Sequence, residues 1–184
     1  FNASLSRVTR QAGIETVFQY LALIPTLSIE ENVFLNREHF VAGPAGWFRW
    51  MDRRRMRREV AEGLARFAVP LPPPDTKVAS LSGGQMQIIA VARAFLWGSN
   101  IVLLDEPSAR LGVGQIEELL HFVLQLKEHG VGVVFISHNM GQVLRVADRI
   151  VVLRLGERIF DLPRGSHTIR DLVQMQMLGR IEQP

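Results

Sequence analysis

Cysteine is absent from this 184-residue chain, which excludes a disulfide scaffold, cysteine-ligated metal and thiol chemistry. Lysine is nearly absent. Lys77 and Lys127 are the only two among 21 cationic side chains, and neither stands in a glycine-rich loop that could cradle phosphate. No run approaches the roughly 20 consecutive apolar residues of a membrane-spanning helix. The first residues lack the pattern of a secretory signal. A large excess of one charge is lacking too: the formal net charge of +3 does not by itself argue for nucleic acid. What is present is a core. At 47% hydrophobic residues, the chain is excluded from intrinsic disorder as its main state. Its length is that of about one domain.

The order of elements predicts the fold class. Residues 13–18 read as a short strand rich in Ile, Thr, Val and Phe. Ser28 to Leu35 reads as a helix, with Ser28 as cap and Glu31 completing a capping box. Gly43-Pro44-Ala45-Gly46 is a turn, followed by Trp47, Phe48 and Trp50. A helix then carries Met56, Val60, Leu64 and Phe67 at a period near 3.6 and stops at the prolines of 70–74. Residues 85–97 form a second helix with Ile88, Ile89, Ala92, Phe95 and Leu96 on one face. Residues 101–104 are a continuous apolar run, expected to be a strand buried on both faces. A helix over about 114–129 ends at Gly130, and 131–136 is another strand expected to be buried. A short helix at 140–147 precedes a hairpin of strands 149–155 and 158–161 around Gly156. This alternation predicts an α/β domain with a mainly parallel sheet and no internal repeat.

In such sheets ligands bind beyond the carboxyl ends of strands, and three strand ends carry a polar residue: Gln19, Asp105-Glu106 and His138. Leu81-Ser82-Gly83-Gly84-Gln85 opens a helix. Its glycines let backbone N–H groups approach a ligand, and the helix N-terminus suits phosphate. Taken alone, a Ser-Gly-Gly is more often a helix cap. Asp105 can hold Mg²⁺ and Glu106 can position or deprotonate a water; a plain polar strand end is an equal alternative. His138 can donate to a phosphoryl group as charge develops, although a lone His there is more often a turn residue. Gln19 alone is the weakest signal.

Taken together, from about Gly13 to about Gly165, these motifs resemble the nucleotide-binding domains of ABC transporters. The resemblance implies a P-loop NTPase-like sheet with an inserted helical subdomain over 25–98, ending with the signature helix. Residues 99–184 are then the rest of the core and a tail. It implies that Gln19 is the Q-loop glutamine, residues 81–85 the signature motif, Asp105 the Walker B aspartate, Glu106 the catalytic glutamate and His138 the switch histidine. ATP and Mg²⁺ are the implied cofactors, with Gln19 and Asp105 toward the metal and Ser82, Gly83, Gly84 and Gln85 toward a partner's ATP. The segments 21–25, 31–38 and 105–113 look more narrowly like ATPases of bacterial sugar importers of the ribose and fructose type. Gly112 stands where most ABC ATPases carry Asp. Tyr20 and Met86 depart from common residues of the group. The implied partners are a second ATPase domain, transmembrane permease subunits and, indirectly, a sugar-binding protein. The implied location is the cytoplasmic face of the bacterial inner membrane.

The family's Gly-x4-Gly-Lys loop lies upstream of the Q-loop strand, beyond Phe1. The expectation is therefore an N-terminally truncated chain that lacks the first part of the core and exposes apolar strand surface. Residues 49–58 hold six arginines beside Trp47, Phe48 and Trp50. A solvated helix start is favoured over a nucleic-acid site, with packing near lipid headgroups between the two. Two alternatives remain: a soluble ABC ATPase acting on nucleic acid or ribosomes, and a non-catalytic module that offers only its signature loop.

Overall fold

The computed structural model describes residues 12–17, 21–43, 48–67, 71–165 and 168–178. They form two compact units, divided between Val134 and Phe135. The first unit begins with β1 (Ile14–Val17), α1 (Ile29–Val33), β2 (Phe40–Ala42), β3 (Arg49–Met51) and α2 (Arg53–Leu64). It continues with α3 (Gly83–Leu96), β4 (Ile101–Asp105) and α4 (Val113–Glu128). The boundary falls inside β5 (Gly132–Ile136). The second unit holds α5 (Met140–Val146), β6 (Arg149–Arg154), β7 (Glu157–Pro163) and α6 (Ile169–Leu178).

A three-stranded sheet of order β1-β4-β5 carries the first unit. β1 and β4 run parallel, with Ile14 opposite Ile101 and Val17 opposite Leu104, so their carboxyl ends lie side by side. Helix α3 packs on both strands. Val102 and Leu104 are fully buried, but Ile101 and Val134 are exposed. The strands are thus covered on one face, not on both as their apolar runs predict. A parallel strand reads as uniformly apolar because both faces can be buried, and hydropathy alone does not report how many faces are covered. The exposed strand surface itself was expected.

The helices follow their sequence signals. Ser28 Oγ accepts the Glu31 N–H at 3.2 Å, and the Glu31 carboxylate accepts the Ser28 N–H at 2.8 Å, closing the predicted capping box of α1. Met56 and Val60 of α2 and Ile88, Ile89 and Ala92 of α3 are all fully buried. Phe67 meets the rings of Phe95 at 5.0 Å and Phe122 at 4.8 Å, both edge-on, tying the end of α2 to α3 and α4. Gly130, at φ +79°, ends α4 as predicted.

Four of the clustered arginines serve as structural partners. Arg57 grips the buried Glu30 through two bonds of 2.9 and 3.2 Å. Arg55 holds Glu59 at 2.7 Å, Arg53 holds Glu31, and Arg58 stands 3.9 Å from Glu62. The run is mainly a helix start laced with carboxylates. The strands β2 and β3 were not expected; residues 41–51 read as a turn with aromatics, because three-residue strands are too short for a period-2 signal.

The second unit encloses its own core of Met140, Val143, Ile150, Val152, Leu172 and Met175. β6 and β7 form the predicted antiparallel hairpin. Its turn residues, Leu155 and Gly156, both have positive φ, 51° and 84°, as a tight two-residue turn requires. Helix α6 was not predicted. Thr168 and Asp171 cap it reciprocally, and Leu172 and Met175 point one stripe inward.

Candidate functional site

The Leu81–Gln85 loop is a helix start whose polar side chains close on themselves. Ser82 is extended (φ −68°, ψ 160°). Its hydroxyl accepts the Gln85 N–H at 3.2 Å, and the Gln85 side-chain oxygen accepts the Ser82 N–H at 3.0 Å. This capping box leaves the N–H groups of Gly83 and Gly84 without an acceptor among the described residues. No acidic side chain occupies the first turn. The end of α3 therefore presents two donors and the positive end of the helix dipole.

The two glycines are needed for different reasons. A Cβ on Gly83 would meet Leu111 at 3.4 Å and Gln115 Oε1 at 3.7 Å, both ordinary contacts. A Cβ on Gly84 would lie 2.9 Å from the Gln115 Cβ and 3.2 Å from its Cγ, inside normal contact distance. Gly84 lets α3 and α4 approach; Gly83 leaves its amide open. The same contacts bring the N-termini of α3 and α4 together, so two positive helix ends adjoin.

β4 ends in the half-buried Asp105. The next residue, Glu106, adopts φ +47°, a conformation that costs an L-residue roughly 1–2 kcal/mol. Outliers of this kind gather at functional sites. The turn is fastened by the Ala109 N–H on the Glu106 carbonyl at 3.2 Å and the Leu111 N–H on the Ser108 carbonyl at 3.1 Å. Glu106 Oε2 is shielded from solvent. The strained turn thus re-aims a carboxylate that the strand's alternation would have sent elsewhere.

Glu106 and Gly83 share the wall of one cavity of about 370 Å³, together with Ala22, Gln87, Arg110 and Leu111. None of the last four was a candidate site residue from the sequence; Ala22 and Gln87 show why. Ala22 adopts φ +47° and its carbonyl accepts from Arg93 at 3.3 Å. Gln87 is 5% exposed, and its Nε2 has no acceptor among the described residues. A polar residue beside the apolar stripe of α3 was the available signal for Gln87. Local sequence carries no signal for the backbone of Ala22.

These groups fit a nucleotide–metal ligand by donor chemistry. Gly83 and Gly84 offer N–H donors suited to anionic oxygens. Asp105 offers a hard carboxylate oxygen, and Mg²⁺ typically takes one or two of these plus phosphate and water.

His138 belongs to the second unit. It is exposed, between β5 and α5. Ser137 Oγ accepts the Asn139 N–H at 3.1 Å, and Asn139 Oδ1 caps α5 through the Gln142 N–H at 3.2 Å. The histidine thus stands between two residues that fasten the helix start. Gln19 lies outside the described residues. Lys77 pairs with Ser28 in an isolated bridge and Lys127 lies in the last turn of α4, so neither forms part of a phosphate loop.

The family profile described as ABC transporter matches residues 3–109. The chain is 44% identical over 177 residues to the fructose import ATP-binding protein FrcA of Rhizobium meliloti, covering 95% of this chain and 68% of that protein. It is 38% identical to the xylose/arabinose import ATP-binding protein XylG of Sulfolobus acidocaldarius, covering 94% and 67%. It is 36% identical to the ribose import ATP-binding protein RbsA 1 of Burkholderia cenocepacia, covering 93% of this chain but 32% of that protein. The chain therefore spans about two thirds of the first two proteins and about one third of the last. Among solved structures, a dimeric ATP-binding cassette in a post-hydrolysis state with ADP and Pi superposes with a TM-score of 0.65 at 26% identity, over 91% of this chain and 69% of that one.

Proposed function

Because the chain belongs to the ABC transporter family, we propose that the whole protein is the ATP-binding and ATP-hydrolysing subunit of an importer of a small carbohydrate. The observation that carries this reading is the pair of elements the fold presents: a β4 end bearing Asp105 and the strained Glu106, and an α3 N-terminus whose Gly83 and Gly84 amides are open. The carbohydrate assignment rests on the relatives, which are named for import of fructose, xylose or arabinose, and ribose.

ATP with Mg²⁺ supplies a phosphoanhydride bond whose cleavage releases the free energy for import. This chain's residues divide into two half-sites. Asp105, with Gln19, would hold the metal. Glu106 accepts a proton from the attacking water, and His138 donates toward the γ-phosphate. Ser82, Gly83, Gly84 and Gln85 act on the nucleotide of a second ATPase domain, the Gly83 and Gly84 amides donating and the Ser82–Gln85 pair keeping the helix end in shape. Residues 25–98 act as the helical subdomain. They pass closure to permease subunits at the cytoplasmic face of the membrane, where a sugar-binding protein delivers cargo from the other side. Among the described residues no helix is long and apolar enough to cross a membrane. The pairing of Arg53, Arg55 and Arg57 with carboxylates weighs against a nucleic-acid role.

The test begins with the coding sequence upstream of Phe1. A Gly-x4-Gly-Lys motif there supports catalysis by this chain; a true start at Phe1 makes it a module that completes a partner's site. In the full-length protein, Glu106→Gln is expected to lower ATP hydrolysis by about a hundredfold or more while ATP-dependent dimers persist in size-exclusion chromatography. Hydrolysis at the parental rate removes Glu106 from the role of base. Uptake of labelled monosaccharides into proteoliposomes bearing the permease tests the cargo class.

A further inference from the structure

The hairpin of β2 and β3 has no part in the cavity. The Gly43 N–H closes it on the Phe48 carbonyl at 2.7 Å, and the Asp52 N–H closes its base on the His39 carbonyl at 2.7 Å. Register places Phe40 opposite Met51 and Ala42 opposite Arg49 on one face, and Val41 opposite Trp50 on the other. Every residue of both strands is exposed. Trp50 is 62% exposed and Phe48 58%. Part of the Trp50 ring lies against Gly43, where a Cβ would come within 2.7 Å of it. A two-stranded ribbon with apolar residues partly exposed on both faces is marginal in water.

Two cations near the ribbon, Arg49 and Arg54, lack a carboxylate partner among the described residues, unlike Arg53, Arg55 and Arg57. The Arg49 guanidinium lies 5.0 Å from the Phe40 ring centroid. Aromatic, Met and Arg side chains on these paired strands match the chemistry of a membrane interface: amphipathic rings at headgroup level, with cations that meet lipid phosphate. A flat protein partner would cover one face of the ribbon and leave the other in water. A headgroup layer surrounds both faces and can satisfy the open strand edges with water and phosphate.

We propose that the β2–β3 hairpin is a peripheral membrane contact that enters the headgroup layer of an anionic bilayer. This reading does not depend on the ATPase assignment, because the binding it describes needs no nucleotide.

The experiment is co-sedimentation of the nucleotide-free full-length protein with vesicles. One set is pure phosphatidylcholine; the other carries about 30% phosphatidylglycerol, to give the negative surface that attracts basic side chains. The parent is expected to partition on the anionic vesicles and to be released at high salt. Arg49→Gln with Arg54→Gln is expected to lower that partitioning about tenfold. Phe48→Ser with Trp50→Ser is expected to lower it about tenfold on both compositions, with the far-UV circular dichroism of the parent. Should the serine pair unfold, the arginine pair decides. The proposal is overturned if the parent sediments with neither vesicle, if both variants bind as the parent does, or if binding occurs only with vesicles bearing the permease.

Discussion

Gly83 and Gly84 are neighbours of one residue type in one motif, yet alanine at each is expected to shift stability in opposite directions. At Gly84 the new methyl would sit 2.9 Å from the Gln115 Cβ. Neither carbon can swing away, so α3 and α4 must separate by about 0.5–1 Å. Overpacking of that kind costs about 1–3 kcal/mol. The better helix propensity of alanine returns up to about 1 kcal/mol. The net expectation is a loss of about 1 kcal/mol, or about 2–4 °C in Tm for a chain of this size. At Gly83 the contacts begin at 3.4 Å, so only the propensity gain remains and Tm is expected to rise by about 1–3 °C. Thermal unfolding followed by circular dichroism reads both. In the Gly84→Ala background, Gln115→Gly removes the opposing Cβ and is expected to recover about 1 kcal/mol as a coupling energy. In the full-length protein both alanine variants should impair ATP-driven dimer closure, Gly83→Ala despite its higher Tm. A Gly84→Ala protein as stable as its parent, or equal shifts at the two positions, would refute the assignment of Gly84 to packing.

Three other contacts carry expectations of their own. Asn32 is fully buried; its Oδ1 accepts the Ile24 N–H at 2.7 Å and its Nδ2 donates to the Ile24 and Ser28 carbonyls, each at 3.0 Å. Asn32→Ala strands the Ile24 N–H, while the Ile24 and Ser28 carbonyls keep the Leu27 and residue-32 backbone N–H donors, and is expected to cost about 1–3 kcal/mol in urea unfolding. Leu155 sits at φ +51°, so Leu155→Asn makes an Asn-Gly turn and is expected to add about 0.5–1 kcal/mol to hairpin stability by hydrogen exchange. The Glu31 carboxyl is held below its ordinary value of 4.5, first by the Ser28 N–H and then, against burial, by Arg53. Glu59 is lowered first by Arg55 and, against burial, by His39. Each depressed carboxyl stabilises the fold above the unfolded value of 4.5 and loses that contribution as pH falls through its folded value. Stability should therefore drop as pH falls below about 4.5, and Glu31→Gln with Glu59→Gln should flatten that slope in titrations of Tm.

What the sequence carried and what it hid follow one physical division. Signals that live within four residues were legible: the capping box at Ser28, the cap at Ser82, the stop at Gly130, the hairpin around Gly156 and the apolar stripes of α2, α3 and α4. Each is a local hydrogen bond, a positive φ or a period. Signals that need a second segment were not. Ile101 and Val134 look as buried as Val102, because hydropathy counts apolar atoms and not the layers that cover them. Gly84 looks like Gly83 until Gln115, from another helix, arrives beside it. The arginines of α2 look like a basic patch until Glu30, Glu31 and Glu59 neutralise most of them. Gln87 looks like any polar helix residue until its amide proves to be buried beside a cavity.

The candidate site divides along the same line, and its most informative residue sits on both sides of it. Asp105 and Glu106 were legible as acids at a strand end, but that placement says nothing of aim. A β-strand alternates its side chains, so two successive acids would diverge. The left-handed backbone at Glu106 breaks the alternation, and the bonds from Ala109 and Leu111 hold the turn that contains it. Here a geometry that costs free energy is kept by two turn bonds and by packing around a shielded carboxylate. If the conformation serves only the turn, Glu106→Gly should retain function while gaining stability. If it serves the carboxylate, the same substitution should remove ATP hydrolysis from the full-length protein even as the backbone relaxes. A rise in Tm with loss of turnover would separate the strain from the chemistry it supports, and retained turnover would place the reacting carboxylate elsewhere.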